Sequence, residues 1–209
     1  GSFPDDQIRQ SLKMCRRQYE QYTRLKVNLK NNLIALLDGT FPGINTLFKS
    51  ALRDSDGREK WIDFAEKSWH RECVCGISER MFTNYYRKWF SKAGYRFSAE
   101  KASSIYSHAC AQVSILPDAE AVKCLVSLAV KHLTKSIETI AAVQREMLAL
   151  ASQLPEYPIV MSMFGVGPVL GPQLMAEIGD VRRFERKQSL VAFAAVDAPP
   201  YQSGTFESQ

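Results

Sequence analysis

Two long runs of residues spaced alternately four and three apart constrain this chain more than any other feature. In the first, Ile8, Leu12, Cys15, Tyr19, Tyr22, Lys26, Leu29, Leu33 and Leu36 follow that rhythm, with Lys26 as the break in its apolar character. In the second, Val122, Val126, Ala129, Leu133, Ser136, Ile140, Val143, Met147, Leu150 and Leu154 repeat it. A strand cannot use this period, because its successive side chains alternate between two faces, whereas a helix gathers such residues into one seam. The spacing predicts one helix over residues 7–38 and a second from about Asp118 to Leu154. Asp38-Gly39 and Phe41-Pro42-Gly43 stop the first. Asp118 is a candidate N-cap for the second, Glu120 adds negative charge to its first turn, and Pro155 and Pro158 close it. Two seams of matching register predict a coiled-coil stalk, paired within the chain, between chains, or both.

Residues 57–113 predict three shorter helices. Trp61, Phe64, Ala65 and Trp69 share one helical face, and Ser98 is an N-cap for a helix running to about Val113. Phe82, Tyr85, Tyr86, Trp89 and Phe90 form an aromatic stripe with Arg87, Lys88 and Lys92 among them. Interleaved aromatics and bases can stack on unpaired bases, but spacings of three and four fit a buried core face better. No convincing period-two segment occurs, although the brief apolar runs Ile159-Val160 and Val191–Val196 suit strand or helix equally. The expected fold is mainly α: long coiled-coil helices plus a compact helical C-terminal domain. Residues 1–157 are expected to be the stalk with its inserted helical segment, and residues 158–209 the C-terminal domain.

Composition narrows the function classes. A hydrophobic fraction of 45% and a charged fraction of 23% suit an ordinary globular protein, and no apolar run is long enough to span a membrane. No signal-peptide pattern opens the chain; Gly1-Ser2 reads as an expression scar. The 5 cysteines form no disulfide framework, so reduced thiols and a cytoplasmic setting are expected. The net charge of +5 permits nucleic-acid binding without requiring it. Its distribution is more pointed. Arg9, Lys13, Arg16, Arg17, Arg24, Lys26 and Lys30 face a single acid, Glu20, over residues 9–30. Such an excess can track phosphates; a solvated helix surface is the competing reading.

Two further segments carry chemistry. In the first, Gly165 and Gly167 flank one apolar residue, and Pro168 leads into a helix through Leu170, Leu174 and Ile178 that Gly179 ends. This is the pattern of a helix-hairpin-helix: glycines let the backbone approach a partner, and amides at the second helix's start can hold a phosphate oxygen. A tight Gly-Pro turn between packed helices is the alternative. Arg182, Arg183, Arg186 and Lys187 follow as candidate phosphate partners. In the second segment, a short helix from about Gln188 to Ala195 runs into Pro199-Pro200 and the turn Tyr201-Gln202-Ser203-Gly204. A serine before glycine is ordinarily a turn residue. The histidines, His70, His108 and His132, lie far from it in sequence, which argues against a hydrolase triad.

The ordered set Phe164-Gly165-Val166-Gly167-Pro168, Ala176-Glu177-Ile178-Gly179-Asp180, Arg183-Phe184, Ser189–Ala194, Val196-Asp197, Pro200 and Tyr201–Gly204 resembles the C-terminal transposase domain of the insertion-sequence one-ten family, the bridge-RNA-guided recombinases. The upstream basic coiled coil resembles the region joining that domain to the family's N-terminal nuclease-like domain. The resemblance implies a DNA transposase in which Ser203 is the nucleophile of strand exchange. It further implies Mg²⁺ bound by four acidic residues of a RuvC-like domain that this chain lacks, DNA as partner, a structured guide RNA, a homo-oligomer through the coiled coil, and a place in the bacterial cytoplasm at the nucleoid. The chain stops 6 residues after Ser203, so as it stands it is expected to do no chemistry. The runner-up reading is a non-catalytic helix-hairpin-helix module that binds DNA or RNA. His70, Cys73 and Cys75 offer three possible zinc ligands but no fourth, and no metal site is expected in the chain.

Overall fold

The computed structural model describes residues 3–49 and 58–179, and every regular element among them is helical. Helix α1 (Phe3–Thr40) and helix α6 (Glu120–Ala151) are the two long helices that the four-three spacing demands. Between them lie a 3-10 turn (Ile44–Thr46), α2 (Lys60–Lys67), α3 (Glu72–Cys75), α4 (Glu79–Lys92) and α5 (Ala99–Ala111); α7 (Tyr157–Met161) and α8 (Leu170–Ile178) follow α6. The one-turn α3 had no periodic signature because it is shorter than one repeat of the pattern. Ile159-Val160 belongs to α7, not to a strand. Leu154, the last seam position, lies beyond the end of α6 yet remains 2% exposed.

The chain divides into two compact units: residues 23–139, and residues 1–22 with 140–209. Each long helix contributes residues to both units.

In the unit formed by residues 23–139, Leu33 and Leu37 of α1 share a core with Val126, Val130 and Leu133 of α6. The seam positions Leu33, Val126 and Leu133 thus point inward within one chain, together with Leu37 and Val130 beside the seam. Trp61, Phe64, Ala65 and Trp69 are buried in the same core, as are Phe82, Tyr86 and Phe90. Tyr85 is left 42% exposed, so the aromatic stripe of α4 is chiefly a core face. Each such fully buried side chain contributes about 1.5–3 kcal/mol. Ser98 caps α5 by accepting from the Lys101 amide at 3.2 Å. The end of α1 is tied to the segment before α6: the amides of Ile115 and Leu116 donate to the Gly39 carbonyl at 2.9 and 2.8 Å. A Cβ at Gly39 would stand 2.6 Å from Leu116 Cδ1, so a larger residue there would oblige the Leu116 side chain to move.

In the other unit, Leu12 of α1 packs in a core with Met147 and Ala151 of α6, Val160 of α7, and Leu174, Met175 and Ile178 of α8. Ile8, Cys15 and Tyr19 border that core, as their seam positions require.

Candidate nucleic-acid interface

Helix α7 and helix α8 are two short helices joined by a turn at residues 162–169, with Gly171 packed against the Met161 side chain. A Cβ there would lie 2.5 Å from Met161 Sδ. Gly165 makes the turn, with φ 78°, a value that disfavours any residue with a Cβ. Gly167 is different: its φ is not positive, and a Cβ would meet nothing within 4 Å. Neither the Gly165 nor the Gly167 amide has a backbone partner among the described residues. Phe164, beside them, is fully exposed. The turn therefore offers amides outside the backbone ladder and an unsupported aromatic ring, together with open space for an approaching backbone. Gly179 ends α8 at φ 70°.

Helix α8 is 9 residues long, about 13 Å, and its far end meets the basic stretch of α1. Lys13, Arg16, Arg17 and Glu20 of α1 line a shallow notch of about 370 Å³ with Ala176 and Glu177 of α8. Arg16 is ion-paired with Glu177 and, at 3.2 Å, with Glu20. Lys13 and Arg17 are exposed at the notch.

The remaining bases of α1 fall into two groups. Arg9 is buried and paired with Glu156 at 2.6 Å. Lys30 is paired with Glu59 at 2.7 Å and lies over the Trp61 ring. Lys26 is partly buried, and that burial lowers its ammonium pKa, with the Glu59 carboxylate opposing the shift. Arg24 is exposed. Sequence reasoning placed all these bases on one helix, but it could not see that carboxylates far along the chain occupy several of them. Phe164 was legible as part of the glycine motif, yet nothing in the sequence distinguished it from a core phenylalanine.

Arg182, Arg183, Arg186, Lys187 and Ser203 lie outside the described residues, as do Val191–Val196 and the expected short helix at Gln188–Ala195.

The His70, Cys73 and Cys75 cluster has a structural role. The His70 Nδ1 accepts from the Glu72 amide at 3.1 Å and its Nε2 lies 3.1 Å from the Leu116 carbonyl, so both ring nitrogens are occupied in the Nε2-protonated tautomer. Burial raises the Cys73 and Cys75 thiols, which disfavours the thiolates that zinc requires. Among the described residues, no three His, Cys, Asp or Glu side chains converge as a cation site.

Residues 157–209 match the family model described as Transposase IS116/IS110/IS902 family. Over that stretch the chain is similar to such transposases. The match begins at Tyr157, the first residue of α7, so it takes in the whole α7–turn–α8 unit. Neither a curated protein nor a solved structure matches the chain. No helix among the described residues is long and apolar enough to cross a membrane.

Proposed function

We propose that this chain supplies the DNA grip and the strand-exchange nucleophile of its transposase, with Ser203 as that nucleophile. The observation that carries the reading is the family match over residues 157–209, which contains Tyr201-Gln202-Ser203-Gly204. In this reading Ser203 Oγ attacks a backbone phosphorus, and the bond from phosphorus to the leaving sugar oxygen breaks. The sugar leaves as a hydroxyl, taking up a proton, and the other DNA end stays on Ser203 as a phosphoserine ester. A hydroxyl of the partner strand then attacks that ester and restores the serine. Gly204 keeps the space beside the ester free of side chain.

The resemblance also implies Mg²⁺ in the full-length protein. Among the described residues no His, Cys, Asp or Glu cluster that could hold the ion is found.

The turn between α7 and α8 is read as the hairpin of a helix-hairpin-helix. The amides of Gly165 and Gly167 take a phosphate oxygen, and Phe164 packs against the exposed base or sugar. Lys13 and Arg17 add phosphate contacts, and Arg182, Arg183, Arg186 and Lys187, next along the sequence, extend them. Arg9, Arg16 and Lys30 serve the fold first, since each already holds a carboxylate. A second copy of the chain and a structured guide RNA complete the proposed assembly. The deciding experiment is Ser203→Ala in the full-length transposase, scored for strand exchange and for covalent protein–DNA adducts. Full exchange by that variant would remove Ser203 from the chemistry.

A further inference from the structure

In the unit formed by residues 23–139, a cup of about 340 Å³ is lined by Lys49, Lys60, Arg96 and Lys101, and by no carboxylate among the described residues. None of the four cations makes an ion pair with a described residue. Phe48, Phe90 and Tyr86 supply its aromatic wall: Phe48 and Phe90 stack at 6.2 Å with an interplanar angle of 28°, and Tyr86 and Phe90 lie 4.3 Å apart. Lys101 Nζ stands 5.4 Å from the centre of the Phe48 ring. Tyr86 is 0% exposed, and its hydroxyl has no hydrogen-bond partner among the described residues. The convergence of like charges is costly, and that cost falls when an anion enters. Burial, and then the neighbouring Lys49 ammonium, hold Lys101 below the usual lysine range, as expected of a cation waiting for a counter-charge. Ser98, the N-cap of α5, also lines the cup, so the positive end of that 13-residue helix adds to the field.

We infer that this cup holds one unpaired nucleotide of a nucleic-acid strand, its phosphate among Lys49, Arg96 and Lys101 and its base against the Phe48 ring. The volume lies in the range of small-molecule sites. Aromatic faces combined with cations are the chemistry by which unpaired strands are held with little sequence preference. A duplex keeps its bases stacked inside and cannot enter. The inference rests on the reading of the chain as nucleic-acid-binding, but it uses residues distinct from the α7–α8 turn and from Lys13 and Arg17.

The test is fluorescence anisotropy with the full chain and three labelled probes of equal length: oligo-dT, oligo-U and a mixed-sequence DNA duplex. Lys49→Gln/Lys101→Gln is expected to weaken single-strand binding by about tenfold while duplex binding changes less than about twofold. The dT and U arms show whether the cup prefers the DNA or the RNA strand, sugar and 5-methyl group taken together. Single-strand binding unchanged in a variant that melts like the parent overturns the proposal, as does equal loss on duplex and single strand, or no single-strand binding by the parent at low salt. Duplex binding that survives Lys13→Gln/Arg17→Gln would instead count against the interface proposed above and leave the cup standing.

Discussion

The Arg9 guanidinium meets the Glu156 carboxylate at 2.6 Å, with side-chain exposures of 9% and 2%. The two residues are 147 positions apart in the chain, so the pair ties α1 to the turn before α7. Removing one partner of a buried pair strands the other's charge, at about 3–5 kcal/mol. Arg9→Met is therefore expected to lower unfolding free energy by that amount in urea titration. Arg9→Met/Glu156→Leu should recover most of it. A loss below about 1 kcal/mol in the single variant would show that Glu156 is not desolvated.

The turn residues separate folding from binding. Gly165→Ala is strained at φ 78° and should cost about 1–2 kcal/mol. Gly167→Val and Phe164→Ala should leave stability within about 0.5 kcal/mol, because a Cβ at Gly167 meets nothing and Phe164 is fully exposed. Both should nevertheless weaken duplex DNA binding severalfold. Unchanged binding by these two stable variants would remove the turn from the interface.

Salt dependence identifies the residues that hold phosphates. Lys13→Gln/Arg17→Gln should flatten the slope of log K against log salt by about 0.9 for each phosphate no longer neutralised. Arg16→Gln should instead loosen α8, since Arg16 holds Glu177, and so should reduce the melting temperature before it alters the slope.

Thiol reactivity follows burial. Burial raises Cys73, with the Asp118 carboxylate adding to it, so its thiolate is scarcer at any pH below that raised value. Cys110 and Cys124 are exposed. Iodoacetamide at pH 8 is expected to label Cys110 and Cys124 well before Cys73, with the Cys73 rate still climbing as the pH rises. Mass spectrometry of timed aliquots reads the order; early labelling of Cys73 would contradict its burial.

Ser203→Ala in the full-length transposase should abolish exchange by several orders of magnitude while DNA affinity stays within about twofold. Ser203→Cys keeps a nucleophile of different reactivity and should retain trace exchange. Adducts mapped to Ser189 or Ser208 would refute the assignment.

Much of the helical architecture was legible in the sequence, because a four-three period over many residues admits one solution. The two long helices, the cap at Ser98, the buried faces of α2 and α4, and the stop at Gly179 all follow from local rules: side-chain period, orphan amides, and the freedom of glycine at positive φ. The ordered motifs from Phe164 to Gly204 likewise pointed to the transposase family before any fold was known. Tertiary structure alone decided which cations are available. Arg9, Arg16 and Lys30 look identical to Lys13 and Arg17 along α1, but Glu156, Glu177 and Glu59 reach the first group only after folding. The division into units was decided there too, since a long helix can enter two cores without any break in its pattern. The cup draws Lys49, Lys60, Tyr86, Arg96 and Lys101 from separate segments. Periodicity reports which face of one helix is apolar, whereas charge pairing and cavity shape depend on what another segment brings to that face.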